Sequence, residues 1–350
     1  MTDERFCSLA DLSHIDSSQL LGRTVFLVPL WDGKKWKTWM PVDGGRLLMM
    51  SPLGVVRSNY LAKTVERDED IHVPFLEFMW QHMSWPDVAH VVSGLSQDIH
   101  LLATSAAKLE HFHQARDIIG TDLLATFVNS EIEHMLVVTR SIFDLLQEAL
   151  AHFWNRRVQL LDPVMEKSRK QRPMQLTFSK TVLDKENIRT AEDIAYRYSV
   201  PASMAEMYAK HAPFFKSVRG ARDQIVHSGK TPDSVYATNR GFCVDPKAPY
   251  FRDFSWNEEH YYNENIVTLV PWLARLVAGT LEACSDIVFS LNGQIQFPPP
   301  LAPDYRLFLR DPANPALLRL VEATKKPSHW WHEAPVTAHD EVVAQGSSVT

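Results

Sequence analysis

Arg222, Asp223 and His227 put a guanidinium, a carboxylate and an imidazole in the short segment Val218-Arg219-Gly220-Ala221-Arg222-Asp223-Gln224-Ile225-Val226-His227-Ser228-Gly229-Lys230. On a helix, Asp223 and His227 stand one turn apart on the same face, and Arg222 lies about 100° around with a side chain long enough to reach the same rim. A histidine in the last turn of a helix feels the negative end of the dipole. Its protonated form is favoured and its titration moves toward neutral pH. Such an imidazole can move a proton while the guanidinium holds a phosphorane-like transition state by charge and paired N–H donors. This is the chemistry of metal-free phosphodiester cleavage. Arg222, Asp223 and His227 are therefore the candidate catalytic residues, and Arg219, Lys230, Arg140 and Asp144 the candidate substrate-binding residues. Each also has a plainer reading. His227 can bond a last-turn carbonyl, Arg222 can pair with Asp223 or Glu206, and Arg140 and Asp144, one turn apart, can form an ion pair within their helix.

Spacing alone is a weak signal, because an Arg followed closely by a His arises by chance about two or three times in a chain of this composition. Arg67-Asp68-Glu69-Asp70-Ile71-His72 is such a copy. It lies in a run of charges before Val73-Pro74, where a helix is disfavoured. The second copy instead ends a core-forming helix.

The helices that must position it follow from apolar residues recurring every three or four positions. Four long helices are expected near 86–119, 122–154, 201–228 and 257–291, the third broken at Pro213. The first two, joined by a short turn at Gly120, should pack antiparallel. Before them, β-like runs at 24–31, 36–42 and 46–50, separated by Asp32-Gly33 and Asp43-Gly44-Gly45, predict a small hairpin sheet. A second hairpin is expected at 235–244. The stretch 62–83 has no clear period. After Pro298-Pro299-Pro300 the chain reads as irregular, with one short helix near 315–323 and a disordered end.

The segment Arg222-Asp223-x-x-x-His227, with Arg140 and Asp144 on a preceding long helix, resembles the HEPN (higher eukaryotes and prokaryotes nucleotide-binding) family, whose members carry an Arg and a His separated by four to six residues. The resemblance spans roughly 86–291. It implies a mainly α fold, an antiparallel four-helix bundle with a small N-terminal β-hairpin region and an irregular C-terminal tail. The corresponding domains are 1–80, 81–295 and 296–350. The activity it implies is a metal-independent endoribonuclease with no cofactor, RNA as substrate and a homodimer that pairs two Arg-His sets, in the manner of a toxin or defence effector restrained by a regulatory partner. The alternative is a non-catalytic module of the same kind that binds RNA, a nucleotide or a protein. The long 155–185 connection, the prolines at 201 and 213 and the added end segments depart from the family pattern.

Composition narrows the classes further. With 36 Lys plus Arg against 42 Asp plus Glu, nucleic-acid binding must rest on a local patch rather than on the whole chain. The basic run Arg156, Arg157, Lys167, Arg169, Lys170 and Arg172 is either an RNA-guiding loop or a solvated surface. Cys7, Cys243 and Cys284 are too few and too scattered for a disulfide framework. The start carries Asp3, Glu4 and Arg5 in place of an apolar signal, and the most apolar stretch, 266–291, is interrupted by charges. A cytoplasmic protein without a membrane span is expected. His111-Phe112-His113 and His329-Trp330-Trp331-His332-Glu333 match no zinc spacing. Glycine-rich phosphate loops and a nucleophile elbow are absent from the sequence.

Overall fold

The computed structural model describes residues 5–20, 22–228 and 234–325, without the side chains of Asp122 and of 225–228. Its first part is β1 (Phe6–Cys7), β2 (Leu30–Trp31), β3 (Trp36–Val42), β4 (Arg46–Met50), β5 (Ser58–Ala62) and β6 (Ile71–His72), followed by α1 (Pro74–His82). The helical part opens with α2 (Pro86–Gln114), the short α3 (Arg116–Ile119) and α4 (Thr121–Arg156). Next come α5 (Pro163–Gln171), α6 (Phe178–Val182), β7 (Leu183–Asp184), β8 (Asn187–Ile188), α7 (Ala191–Tyr198) and α8 (Ala202–Ser228). The chain then forms β9 (Tyr236–Ala237), β10 (Phe242–Val244), β11 (Val267–Thr268), α9 (Val270–Phe289), β12 (Arg306–Arg310) and α10 (Asn314–Ala323).

The two longest helices form where the apolar period places them. Along α4 the stripe Leu124, Val128, Ile132, Leu136, Phe143, Leu146 and Leu150 is fully buried. Gly120, at φ +82°, supplies the backbone turn between α3 and α4 that a side chain would strain. Ion pairs fix the antiparallel packing. Asp87 at the start of α2 meets Arg157 just past the end of α4 at 2.7 Å, and Lys108 near the end of α2 meets Glu131 early in α4 at 2.7 Å. Leu136, Phe143 and Leu273 belong to one hydrophobic cluster, which also takes in Leu30, Leu61 and Leu307 from the sheet.

The fold is not a four-helix bundle with a hairpin appendage and an irregular tail. Among the described residues, ten helices pack with a seven-stranded mixed sheet of order β1-β4-β3-β2-β5-β12-β6, in which β2 and β5 run parallel. The strand that overturns the expectation is β12. Its residues Leu307, Phe308 and Leu309 are buried on both faces, so the run lacks the in-out alternation by which a half-exposed strand announces itself. It pairs antiparallel with all of β5, from Arg306 opposite Ala62 to Arg310 opposite Ser58, and with β6 on its other side. The prolines before it do not free the chain either. Pro298 and Pro299 carbonyls accept from His82 and Arg23 at 2.8 Å, and Gln81 bonds Ala302 and Tyr305.

Two helix boundaries also differ from expectation. The last long helix begins at Val270, not near 257, because Pro271 lacks an N–H and is tolerated only in a first turn. Residues 258–260 form a separate single turn, and 267–268 are the strand β11, which completes a three-stranded sheet with the expected 235–244 hairpin. Conversely, α8 runs unbroken through Pro213. Tertiary packing holds it there: Tyr208 donates to Gln147 of α4 at 2.7 Å, His211 meets Asp286 of α9 at 2.8 Å, and the ring of Phe215 lies 5.3 Å from that of Phe143.

Under the sheet's other face is a knot of charge. The Arg310 guanidinium is 2% exposed and lies against the paired rings of Trp36 and Tyr60, at 4.8 and 5.2 Å from their centres. It donates to Asp70 through Nε at 3.0 Å and through Nη2, and to Glu66. Tyr60 donates its hydroxyl to Asp70 at 2.7 Å.

His14 is another buried polar group. It stacks on Trp39 at 4.7 Å with Nδ1 lacking a partner, and burial, aided by Lys37, pulls its pKa down to about 4. The unfolded chain takes up this proton near pH 6.5, whereas the folded chain resists until about 4. Between those values the unfolded state binds more protons, so this group weakens the fold as pH falls through the window. His14→Gln should remove that component. The wild-type advantage over the variant, read from urea midpoints, should shrink by up to about 3 kcal/mol between pH 7 and pH 4. An advantage unchanged across that range would show that His14 does not titrate this way.

No helix among the described residues is long and apolar enough to cross a membrane.

Candidate functional site

Five of the seven residues singled out by the motif meet where α8 crosses α4. Arg140 and Asp144 project from α4, one turn apart, with Arg140 Nε 3.3 Å from Asp144 Oδ2. Arg219, Arg222 and Asp223 project from α8. Asp223 is the hub: Arg222 donates to its Oδ1 at 3.0 Å, Arg219 Nε lies 3.4 Å from its Oδ2, and Arg140 Nη1 reaches Oδ1 at 4.0 Å. All five side chains are between 23 and 32% exposed, so the cluster forms a rim open to solvent and backed by the core. The floor is aromatic. The Arg140 guanidinium lies 5.6 Å from the centre of the Phe215 ring, which is itself fully buried.

Two anchors keep this rim in place, and neither is apparent in the motif. Asp144 Oδ1 accepts the backbone N–H of Phe178 at 3.1 Å, so this carboxylate also ties the start of α6 to α4. Glu186, in the turn between β7 and β8, accepts from Arg219 at 3.3 Å, and its carbonyl accepts from Lys216 at 2.7 Å. The turn is set by Lys185, at φ 55°. The only sequence cue to Glu186 is the run Lys185-Glu186-Asn187, which marks a turn but not what it faces. Of the two acids open to Arg222, Asp223 is the observed partner. His227 occupies the last turn of α8 by its backbone, one turn after Asp223. The His227 side chain and Lys230 lie outside the described residues.

Arg222 uses one of its N–H groups on Asp223 and has no other partner among the described residues, which leaves a planar fork of donors at the rim. Three arginines around one carboxylate can exchange it for a phosphate, which carries the same sign of charge and offers more acceptor oxygens.

The other candidates are absorbed by structure. In the copy at 67–72, Glu66 and Asp70 hold Arg310, Arg67 lies 3.3 Å from Glu66, and His72 pairs with Glu77 at 3.0 Å inside the sheet region. The basic run at 156–172 is largely spent internally. Arg156 and Arg157 meet Asp87, and the buried Arg169 holds Glu166 and the Trp154 and Asn155 carbonyls. Arg172 stacks over Tyr196 at 4.5 Å. Among the described residues, no three His, Cys, Asp or Glu side chains gather closely enough to hold a metal ion. The 329–333 histidine pair lies outside them. Burial pushes the Cys243 thiol up to about 12 and the Cys284 thiol higher still, which suits neither as a nucleophile.

Compared with family models, with curated proteins and with solved structures, the chain finds no match in any of the three.

Proposed function

We propose that the α4–α8 rim binds the RNA backbone and cuts it without a metal, His227 acting as the acid–base group and Arg222 stabilising charge on the phosphate. The observation that supports this reading most is the convergence of Arg140, Arg219 and Arg222 on Asp223, one helical turn before His227. An RNA phosphate entering the rim replaces Asp223 as the acceptor of these guanidiniums. A base then takes the proton of the neighbouring 2′-hydroxyl, that oxygen attacks phosphorus, and the 5′-oxygen leaves with a proton from an acid. One imidazole cannot give and take a proton in the same step. Two copies of the rim facing each other across a two-fold axis supply both groups, the arrangement that the motif's resemblance to HEPN proteins implies. In this reading the protein works in the cytoplasm, where its substrate is found.

RNA should be cut, DNA of the same sequence should not, and a chelator should leave the rate unchanged. Absence of cleavage at any protein concentration, or equal cleavage of DNA, would sink the proposal. Light scattering should show a dimer at micromolar concentration or on addition of RNA. A monomer under both conditions would remove the two-fold pairing.

A non-catalytic reading has its own support. Asp223, Asp144 and Glu186 together already balance the charge of the three guanidiniums, as they would in a rim that only holds RNA or a protein. Binding without cleavage would favour it.

A further inference from the structure

A second built site lies far along the chain from the α4–α8 rim, where α2 passes β5. Asp311 is its pivot. The Asp311 Oδ2 atom lies 3.0 Å from Arg57 Nε and 3.1 Å from His100 Nδ1. Asn59 Oδ1 faces His100 Nε2 at 3.3 Å and accepts the Ser96 hydroxyl at 2.6 Å. His100 and Ser96, which line an opening here, are more than nine-tenths buried, and Asp311, equally buried, backs His100 from behind. Burial, aided by Arg57, holds His100 below its ordinary range despite the pull of Asp311.

This polar mouth is an open depression of about 320 Å³. Through Asn59, Ser93 and Ser96 it adjoins an apolar cavity of about 240 Å³, walled by Leu76, Trp80, Val92 and Leu307 and covered by the non-helical residues Phe26 to Val28. The mouth and the cavity each hold a donor without a partner among the described residues. The Arg57 guanidinium spends only Nε, leaving its two Nη groups without a partner among the described residues, and its side chain is 41% exposed. Trp80 Nε1 is buried without an acceptor. The Arg57 fork, being solvent-exposed, is free to meet an anion at the mouth, and Trp80 Nε1 reports on what enters the cavity without having to be satisfied by it.

We propose that the two cavities bind one amphiphilic molecule, a monocarboxylate with a medium-length apolar body. The carboxylate lies across the Arg57 Nη pair at the mouth, and the apolar body runs past Ser96 into the cavity beneath Phe26 to Val28. A carboxylate matches the two parallel N–H groups of the fork. A phosphate dianion would set two negative charges beside Asp311, and an alcohol would leave the fork unused. The site is independent of the rim at α4 and α8, so either can fail without the other.

Decanoate is the probe, with decanol and butyrate as the headless and tailless controls. Decanoate should bind the full-length protein saturably and shift the Trp80 indole N–H resonance, assigned by its loss in Trp80→Phe. Both controls should bind at least about tenfold more weakly, the worth of one charge-assisted hydrogen bond or of a few buried methylenes. Arg57→Gln should weaken decanoate by a similar factor. Ser93→Trp, a change at an exposed position on the lip, should block it while thermal unfolding stays as in wild type. The proposal is overturned if decanoate shows no saturable binding, if decanol equals it, or if Ser93→Trp binds decanoate as well as wild type does.

Discussion

His227→Ala should lower RNA cleavage by about 10²- to 10⁴-fold, the range that a positioned acid–base group contributes. The fold should survive, because His227 falls in the last turn of α8, after the packed stretch from Tyr208 to Phe215. The cost of losing a histidine at a helix C-terminus is about 0.3–1 kcal/mol. Arg222→Ala should have a comparable effect on rate, since Arg222 is the member of the cluster whose donors are least committed. The two changes should differ in binding. Loss of Arg222 weakens RNA affinity and flattens its salt dependence, whereas loss of His227 leaves both nearly intact. Arg67→Ala and His72→Ala alter a similar sequence elsewhere in the fold and should leave cleavage as it is. Cleavage that persists in His227→Ala would end the acid–base assignment, and cleavage lost equally in His72→Ala would point to a structural cause.

The largest stability loss is expected in the sheet, at the Arg310 knot. Asp70→Ala should cost about 3–5 kcal/mol, because it strips the main partner from a guanidinium that cannot lose its charge and is almost wholly buried. It also leaves the Tyr60 hydroxyl without its acceptor, in a ring that is fully buried. Glu66 alone cannot compensate, being one carboxylate on one side of the fork. Calorimetry of wild type and variant measures the difference directly. A loss below about 1 kcal/mol would mean that the knot is wet and its charges already screened. Replacing Arg310, Asp70 and Glu66 together with apolar residues should be milder, because it removes the charges as well as their pairing.

The long helices were legible because burial is one-sided and repeats with the helical period, as the α4 stripe shows. The gathering of Arg140, Asp144, Arg219, Arg222 and Asp223 was legible in part. Each helix displays its own set on one face, but nothing in either segment says that the two faces meet. That contact depends on Tyr208 reaching Gln147 and on Phe215 packing against Phe143, which are pairings across more than sixty residues. The sheet was read as a small hairpin for the same reason. Leu307-Phe308-Leu309 carries no alternation, and its partner Asn59-Tyr60-Leu61 lies nearly 250 residues upstream. Proline misled in both directions: Pro213 is overridden by packing, while Pro271, inside an apolar run, marks a true start. The Arg57, His100 and Asp311 group comes from three separate elements and leaves no local pattern at all.

The place of β12 between β5 and β6 sets a rule for the order of synthesis. A ribosome makes residues 58–72 long before 306–310, so the nascent chain must carry β5 and β6 with an unfilled gap between them, and Glu66 and Asp70 without their counter-ion. The amino-terminal strands therefore have no finished sheet to join until nearly the whole described chain has left the exit tunnel. Contacts of such long sequence separation make folding slow and leave strand edges open to other chains in the meantime. A polypeptide stopped just short of Arg306 would be missing only about an eighth of the 350 residues, yet it would lack the strand on which its first quarter depends.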